Sequence, residues 1–300
     1  MEKIASIDIG SNTLRLLIAE KTAEGFHPVC RDREIVRLGG SFYPQRLLSE
    51  SAMDAAIRVL IRFRQIADQQ GATRIRAVGT GVLREAENRL IFLEKVRREA
   101  DLSVDIVSGE EEARLMARGV LSGLPTGTEK ALVFDMGGGS TEFVFIGKEQ
   151  GKELISLPLG VVTLTERFLI SDPPSPLEQQ RLRDFGRNIL RENLSGNDNI
   201  KTLIGTAGTA TTLAAMAGGL ETYDPEVIHG TALARNRLEE MADQLLSLKL
   251  EQRLQLTGLE EGRADVIAAG ILLVLEIMEH FAQETLLVSD SGLLEGIILS

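Results

Sequence analysis

The pattern of apolar and polar residues along the chain predicts a mixed α/β protein. Short apolar runs bounded by glycine or polar residues are typical of strands, and the first half has them at residues 4–7, 14–19, 35–38, 74–78 and 104–107. Apolar residues at helical spacing predict helices at residues 49–70, 85–100 and 109–121. The second half continues the mixture, with passages from a strand into a glycine loop at residues 133–140, 203–209 and 286–292.

Two segments, residues 8–13 and 135–142, share one pattern. Each follows an apolar run, begins with an Asp, turns on small residues and resumes as a second apolar run. We interpret them as the same β-hairpin used twice. This repetition predicts a duplicated α/β fold with a cleft between its halves. The polar connection at residues 124–128 divides the chain into predicted domains 1–124 and 125–300.

Composition narrows the class of protein. Of the 300 residues, 43% are hydrophobic and 26% are charged, as in soluble globular proteins. The net charge of −11 argues against nucleic-acid binding. The chain runs directly into its first strand, so no signal peptide is expected, and no apolar run is long enough to span a membrane. The single cysteine, Cys30, excludes an intramolecular disulfide, and we expect a cytoplasmic protein.

The two turns have the composition of phosphate-binding loops. Small residues leave backbone N–H groups free to bind phosphate oxygens, and an Asp at a strand end can hold Mg²⁺ against the phosphates. The predicted Mg²⁺ ligands are Asp8, Asp135 and Glu142. The predicted phosphate-binding residues of the turns are Gly10, Ser11, Asn12, Thr13, Gly137, Gly138, Gly139, Ser140 and Thr141.

These carboxylates also have a structural interpretation. Asp favours strand ends because it forms local hydrogen bonds there, and Glu142 can be a solvated strand residue. One such Asp alone would favour the structural explanation, whereas two in matched settings favour phosphate and metal binding. Two hairpins of this kind facing each other would hold a polyphosphate chain from both sides.

A third glycine loop, at residues 205–209, leads into an apolar helix. The N-terminus of a helix attracts anions, so Thr206, Gly208 and Thr209 are predicted to bind phosphate. Close packing of the helix on its strand would also explain the small residues.

Arg84 lies just after a buried strand, where we expect a helix to start. The helix dipole disfavours a cation there unless an anion lies beside it. We therefore predict that Arg84 binds a substrate phosphate. A solvent-exposed arginine is the alternative.

The glutamates at residues 110–112 differ in their expected surroundings. Ser108 with Glu111 fits a capping box, and Glu111 can pair with Arg114 one turn later. Glu112 instead borders the apolar side of the predicted helix. A carboxylate there is expected to be partly desolvated, with a raised pKa, as a general base requires. A partly buried structural glutamate would show the same pattern.

Several motifs together resemble the exopolyphosphatase/guanosine pentaphosphate phosphohydrolase (Ppx/GppA) family, within the acetate/sugar kinase–actin superfamily. The resemblance spans essentially the whole chain, and the segments at residues 83–86 and 108–115 are its most specific part. The matching segments are residues 8–13 (DIGSNT), 83–86 (LREA), 108–115 (SGEEEARL), 135–142 (DMGGGSTE), 205–209 (GTAGT), 262–267 (GRADVI) and 289–292 (SDSG).

The resemblance implies two actin-like, ribonuclease H-like domains and a homodimer. It implies that Glu112 activates the attacking water, that Arg84 binds phosphate, and that Mg²⁺ is the metal. The expected reaction is release of the terminal phosphate from inorganic polyphosphate or from the guanosine alarmone pppGpp. An ATP-dependent kinase of the same superfamily and a non-catalytic sensor of polyphosphate or alarmone remain alternatives.

Overall fold

The computed structural model describes residues 2–22, 25–42, 44–123, 130–146, 153–194 and 200–300. The strands, in chain order, are β1 (Lys3–Ile9), β2 (Thr13–Thr22), β3 (Gly25–Ile35), β4 (Arg74–Gly79), β5 (Val104–Ile106), β6 (Ala131–Met136), β7 (Thr141–Ile146), β8 (Glu153–Leu157), β9 (Thr202–Thr206), β10 (Ala232–Ala234) and β11 (Thr285–Val288). The helices are α1 (Glu50–Gln69), α2 (Val82–Glu85), α3 (Arg89–Ala100), α4 (Gly109–Gly123), α5 (Val161–Phe168), α6 (Pro176–Asn193), α7 (Ala207–Ala217), α8 (Pro225–Ile228), α9 (Arg235–Ser247), α10 (Leu250–Arg253), α11 (Ile267–His280) and α12 (Leu293–Ile298).

The chain folds as two compact units. The first unit comprises Met1–Ser122 together with Gly292–Ser300, and the second comprises Gly123–Ser291. The predicted connection at residues 124–128 lies outside the described residues, and the predicted division at 124/125 stays a prediction. Within the described residues, no helix has both the length and the apolar character needed to cross a bilayer.

The first unit is built on a five-stranded sheet in the order β3-β2-β1-β4-β5. Its central strand, β1, is buried on both faces because its residues alternate between two layers of helix. Ile7 and Ile9 face a core that includes Phe63 of α1. On the opposite face, Ile4 packs in a smaller cluster with Leu294 of α12. Since β1 is central, its carboxyl end, where Asp8 lies, is fixed by strands on both sides.

The second unit is built on a six-stranded sheet in the order β10-β11-β9-β6-β7-β8. Its main core packs Phe134 of β6 and Phe143 of β7 with the apolar helix α11, which is buried along nearly its whole length. Glu276 of α11 is buried too, and Arg183 and Arg187 of α6 pair with its carboxylate at 3.0 Å each. A buried carboxylate needs such partners, so these contacts join α6 to α11.

The two sheets share one topology. In each, the first three strands form an antiparallel meander, β1-β2-β3 and β6-β7-β8. The next strand, β4 or β9, lies parallel to the first strand on its other side, and a further parallel strand, β5 or β11, follows. The antiparallel strand β10 is an addition at the edge of the second sheet. The predicted duplicated α/β fold is confirmed.

The predicted strand at residues 35–38 is wrong. β3 extends back to Gly25 and ends at Ile35. Beyond it, the N–H groups of Val36 and Arg37 both donate to the carbonyl of Asn12, at 2.9 and 2.8 Å. Arg37 has a φ of 56°, which an extended strand does not allow. Leu38 is therefore buried by a turn, while Ile35 and Val36 are only partly buried.

The helix predicted at residues 85–100 begins later, at Arg89, and is α3, while a separate short helix, α2, ends at Glu85. The chain is extended at Ala86, and Asn88 then exchanges two hydrogen bonds with the backbone of Leu48, at 3.0 and 2.9 Å. Asn88 and Leu48 are forty residues apart in the sequence, and their contact prevents α2 and α3 from forming one continuous helix. Arg84 accordingly lies in the last turn of the short helix α2, not at the start of a long one.

The start of α6 offers a test of stability against pH. Hydrogen bonds from the Ser171 hydroxyl and from Ser175 lower the pKa of Glu178 from 4.5 to about 2. Glu178 completes a capping box with Ser175 at the N-terminus of the helix. Because the folded pKa is depressed, the stabilisation is complete above about pH 4.5 and is lost as the pH falls towards 2.

We therefore expect Glu178→Gln to lower the melting temperature at neutral pH, and we expect the difference from the wild type to vanish near pH 2. Thermal unfolding followed by circular dichroism between pH 2 and 7 measures this. Glu192→Gln, an exposed glutamate in the same helix, is the control. A difference for Glu178→Gln that does not depend on pH would contradict the capping role.

Candidate active site

The first predicted phosphate loop is a tight turn between β1 and β2. The Gly10 N–H donates to the carbonyl of Thr13 at 3.2 Å and closes the turn. The carbonyls of Ser11 and Asn12 accept hydrogen bonds from N–H groups of residues 36–39. The N–H groups of Ser11 and Asn12 have no acceptor among the described residues. The carbonyls of the turn are thus engaged, and the N–H groups of Ser11 and Asn12 are available to bind an anion. Phosphate binding by this turn stays a prediction.

The second loop, between β6 and β7, repeats this arrangement. The Gly137 N–H donates to the carbonyl of Ser140 at 2.9 Å, the same bond as in the first turn. The carbonyls of Gly137 and Gly138 accept hydrogen bonds from the first residues of α5. A Cβ on Gly160, the residue that precedes α5, would collide with Gly138 and Gly139, so helix and loop are in direct backbone contact. The described residues provide no acceptor for the Gly138 and Gly139 N–H groups.

Asp8 is buried and only one of its carboxylate oxygens is engaged. Arg15, its cross-strand partner on β2, donates to Oδ2 from Nε at 2.9 Å and from Nη2 at 2.6 Å. Oδ1 is buried and has no hydrogen-bond partner among the described residues. A buried carboxylate oxygen without a donor is costly unless a cation or water lies beside it. Asp8 therefore fits its predicted role as a ligand of Mg²⁺.

In the second hairpin, the residue opposite Asp135 is Glu142. Both carboxylates are buried, and they lie on neighbouring strands at the same register. Glu142 Oε1 accepts hydrogen bonds from the Ser140 hydroxyl at 2.7 Å and from the Ser156 hydroxyl at 2.8 Å. Like charges directly opposite in a sheet repel, and a divalent cation would offset that repulsion. These oxygen donors suit a hard cation such as Mg²⁺.

Thr13 and Thr141 occupy different surroundings. Thr13 begins β2 and is partly exposed. Thr141 begins β7, is fully buried, and donates its hydroxyl hydrogen to the carbonyl of Leu159 at 2.7 Å. In this structure Thr141 therefore ties β7 to the segment that leads into α5.

Arg84 and Glu112, predicted separately from the sequence, meet in the first unit. Arg84 Nη1 donates to Glu112 Oε2 at 2.7 Å and to the carbonyl of Val107 at 3.3 Å. Glu112 is 9% exposed, while a quarter of the Arg84 side chain is exposed. The anion that the structure places beside Arg84 is thus the Glu112 carboxylate, and the predicted binding of a substrate phosphate by Arg84 stays a prediction. The predicted raised pKa of Glu112 stays a prediction.

Glu111, the neighbour of Glu112 in α4, is engaged elsewhere. Ser108 caps the helix by accepting the Glu111 N–H at 3.1 Å. Arg114 donates to both carboxylate oxygens of Glu111 at 2.7 Å, and this hydrogen bonding lowers the pKa of Glu111 below its usual range. The structure shows the Ser108 half of the predicted capping box and the predicted pairing of Glu111 with Arg114. Glu111 thus has partners different from those of Glu112.

The third predicted loop forms the N-terminus of α7. Thr206 donates its hydroxyl hydrogen to the carbonyl of Ser291 at 2.9 Å, and Thr209 is buried. Ala207 has a φ of 61°, a left-handed conformation that is uncommon for a residue with a Cβ. The buried Arg263 guanidinium lies against Gly208, where any Cβ would collide with it. Arg263 Nε also donates to Glu260 Oε2 at 3.0 Å, so the arginine beside this helix start is already paired with a carboxylate.

Three residues that contact the predicted site residues were not identified from the sequence: Arg15, Ser156 and Arg263. Arg15 could have been found by counting outward from the turn, because an antiparallel hairpin pairs it with Asp8. Ser156 and Arg263 come from β8 and from the turn before α11, and no local pattern links them to the loops. Among the described residues, no group of three or more His, Cys, Asp or Glu side chains is arranged to hold a metal ion. A Mg²⁺ ion held by one or two carboxylates and by substrate phosphates needs no such group.

Comparison with solved structures identifies the class of protein. The chain matches a Ppx/GppA family member from Aquifex aeolicus with a TM-score of 0.84 at 35% identity, covering 99% of this chain and 96% of that one. It matches an exopolyphosphatase from Cytophaga hutchinsonii with a TM-score of 0.91 at 27% identity, covering 99% and 97%. The duplicated units are therefore of the actin-like type.

Proteins related in sequence are also named as phosphatases or pyrophosphatases. Exopolyphosphatase 2 of Mycobacterium tuberculosis is 33% identical over 318 residues, covering all of this chain and 98% of that protein. The bifunctional 3-dehydroquinate synthase/phosphatase of Fusobacterium nucleatum is 34% identical, and the guanosine-5'-triphosphate,3'-diphosphate pyrophosphatase of Photobacterium profundum is 29% identical, each over 98% of this chain. This chain spans only 46% and 58% of those two longer proteins.

The model of the Ppx/GppA phosphatase family matches residues 17–300. The chain belongs to the Ppx/GppA phosphatase family. The resemblance found in the motifs is confirmed over the whole chain, while the roles of the individual site residues stay predictions.

Proposed function

We propose that this chain hydrolyses the terminal phosphoanhydride of inorganic polyphosphate or of pppGpp. Full-length similarity to an exopolyphosphatase and similarity to a pyrophosphatase of guanosine-5'-triphosphate,3'-diphosphate support this substrate class. Both substrates end in the same phosphoanhydride, so the proposal covers both. The observation that carries it is the contact between Arg84 and Glu112, an arginine and a buried carboxylate placed together beside the first phosphate-type turn.

In this proposal the two residues have separate tasks. Arg84 donates hydrogen bonds to the terminal phosphoryl group and stabilises its charge. Glu112 orients a water molecule and accepts its proton as the water oxygen bonds to phosphorus. The bond between that phosphorus and the bridging oxygen breaks, and its electron pair leaves with the shortened chain. The products are orthophosphate and a substrate shorter by one phosphate. Such a reaction requires mainly positioning and charge stabilisation.

The turns supply the binding surface. We propose that the N–H groups of Ser11, Asn12, Gly138 and Gly139 bind phosphate oxygens, since none of them has an acceptor among the described residues. The carboxylates we propose as ligands of Mg²⁺ are Asp8 in the first unit and Asp135 and Glu142 in the second. Bound Mg²⁺ would neutralise charge on the phosphate oxygens. A cytoplasmic location and a homodimer also belong to the proposal, the first resting on composition and the second on the family resemblance.

The test is release of orthophosphate, measured side by side on polyphosphates of several lengths and on pppGpp. We expect Mg²⁺-dependent release that EDTA abolishes, with a product one phosphate shorter at each step. Formation of ADP from ATP that requires an added acceptor would instead identify a kinase. Tight binding of polyphosphate or pppGpp without any released phosphate would identify a sensor. Either result would overturn the proposed hydrolysis.

A further inference from the structure

The hydroxyl of Ser11 reaches out of the first turn to the segment that carries Arg84. Ser11 is 8% exposed, and its Oγ accepts the N–H of Val82 at 3.1 Å. Val82 is the first residue of α2, and Arg84 follows two residues later in the same turn of helix. A helix of four residues has almost no stability of its own. Its position therefore depends on contacts such as this one.

The atoms around Ser11 leave little room for a larger side chain. Gly81 has a φ of 50°, and a Cβ added there would collide with Ser11 Oγ. The carbonyl of Ser11 accepts the Gly39 N–H at 2.8 Å, and a Cβ on Gly39 would lie 2.8 Å from a methyl group of Val82. The first turn, the turn at Gly39 and the start of α2 thus meet at Ser11. A small residue with one hydroxyl acceptor fits the space.

We infer that Ser11 is a positioning residue: its hydrogen bond with the Val82 N–H fixes the start of α2 and thereby the position of the Arg84 guanidinium. Holding the start of α2 against the first turn fixes where the Arg84 guanidinium meets Glu112. This inference rests on the proposed function, because it assigns to Arg84 the stabilisation of the terminal phosphoryl group. Misplacing such a group by about 1 Å is enough to cost roughly 100-fold in rate. Ser11 thereby links the loop that binds phosphate to the residue that acts on it.

A double-mutant cycle separates this role from direct contact of the Ser11 hydroxyl with phosphate. The variants are Ser11→Ala, Arg84→Ala and the two combined, with kcat and KM measured for Mg²⁺-dependent phosphate release and folding checked by thermal unfolding. We expect Ser11→Ala to lower kcat by roughly 10- to 100-fold, with a smaller change in KM. We expect no further loss when Ser11→Ala is added to Arg84→Ala, because the group being positioned is already absent.

Gly81 provides a second test that leaves Ser11 in place. Gly81→Ala places a methyl group against Ser11 Oγ and strains the left-handed backbone. Gly71→Ala is the matched control, since Gly71 has a φ of 72° with nothing within 4 Å of an added Cβ. Both variants are expected to lose stability because of the backbone strain. Only Gly81→Ala is expected to lower kcat as well.

The outcomes are distinguishable. Full activity of Ser11→Ala, or losses that multiply in the double mutant, would overturn the inference and leave the proposed function intact. Equal kcat for Gly81→Ala and Gly71→Ala would also count against it. Full activity of Arg84→Ala alone would remove Arg84 from the proposed mechanism, and the inference would fall with it.

Discussion

Glu112→Gln is expected to lower kcat for phosphate release by roughly 100- to 10,000-fold while KM changes little. A general base contributes about that factor, and an amide cannot accept the proton of the attacking water. The exchange is nearly isosteric. The amide oxygen can still accept the hydrogen bond that Arg84 Nη1 donates to Glu112 Oε2 at 2.7 Å. The contacts of Arg84 are therefore expected to persist, so the loss of kcat would reflect the chemical step rather than a change of structure.

Glu111→Gln is the matched control for this experiment. It removes a carboxylate from the neighbouring position of the same helix, where Arg114 already engages both oxygens. We expect it to keep most of the activity and to lose some stability, since it loses an ion pair with a depressed pKa. If Glu112→Gln released phosphate at the wild-type rate, Glu112 would not be the base. A similar loss in both variants would point to disruption of α4.

Asp8→Asn is expected to raise the Mg²⁺ concentration that gives half-maximal activity. The argument starts from Asp8 Oδ1, which is buried and lacks a hydrogen-bond partner among the described residues, while Arg15 engages Oδ2. Replacing the carboxylate by an amide removes the charge that attracts the ion. Loss of partners that only support metal ligands typically costs 10- to 100-fold in affinity. Loss of a ligand itself is expected to cost at least roughly that much.

The measurement is phosphate release titrated with Mg²⁺ after treatment with EDTA. Asp105→Asn is the control, because Asp105 lies in the same row of the first sheet, two strands away, and its side chain is 62% exposed. We expect its titration curve to match that of the wild type. An unchanged curve for Asp8→Asn would exclude Asp8 as a ligand. A curve with the same midpoint but a lower plateau would indicate a role after metal binding.

The two phosphate-type turns could be predicted because their cause is local. Small residues in the same spacing after a strand produce the same turn, and the bonds from Gly10 to Thr13 and from Gly137 to Ser140 show this directly. The register of each hairpin follows from its turn. The same spacing that pairs Asp135 with Glu142 pairs Asp8 with Arg15. The first Asp thus faces a cation and the second faces another carboxylate, although their local motifs look alike.

Features that depend on distant contacts were harder to predict. The break between α2 and α3 follows from the hydrogen bonds between Asn88 and Leu48, which lie forty residues apart. The end of β3 follows from the Asn12 carbonyl, which captures two N–H groups beyond Ile35. The pairing of Arg84 with Glu112 joins two helices, and the sequence indicated both residues without indicating that they touch.

The last helix, α12, has a consequence for how the protein is made. It covers the face of β1 and β2 that bears Ile4, Leu17 and Ala19. Those strands emerge from the ribosome long before α12, which covers them. Until then that face stays open to water and to other nascent chains. Contacts of such long sequence separation slow folding and expose apolar surface to aggregation. Chaperone capture during translation is therefore expected to concentrate on this face.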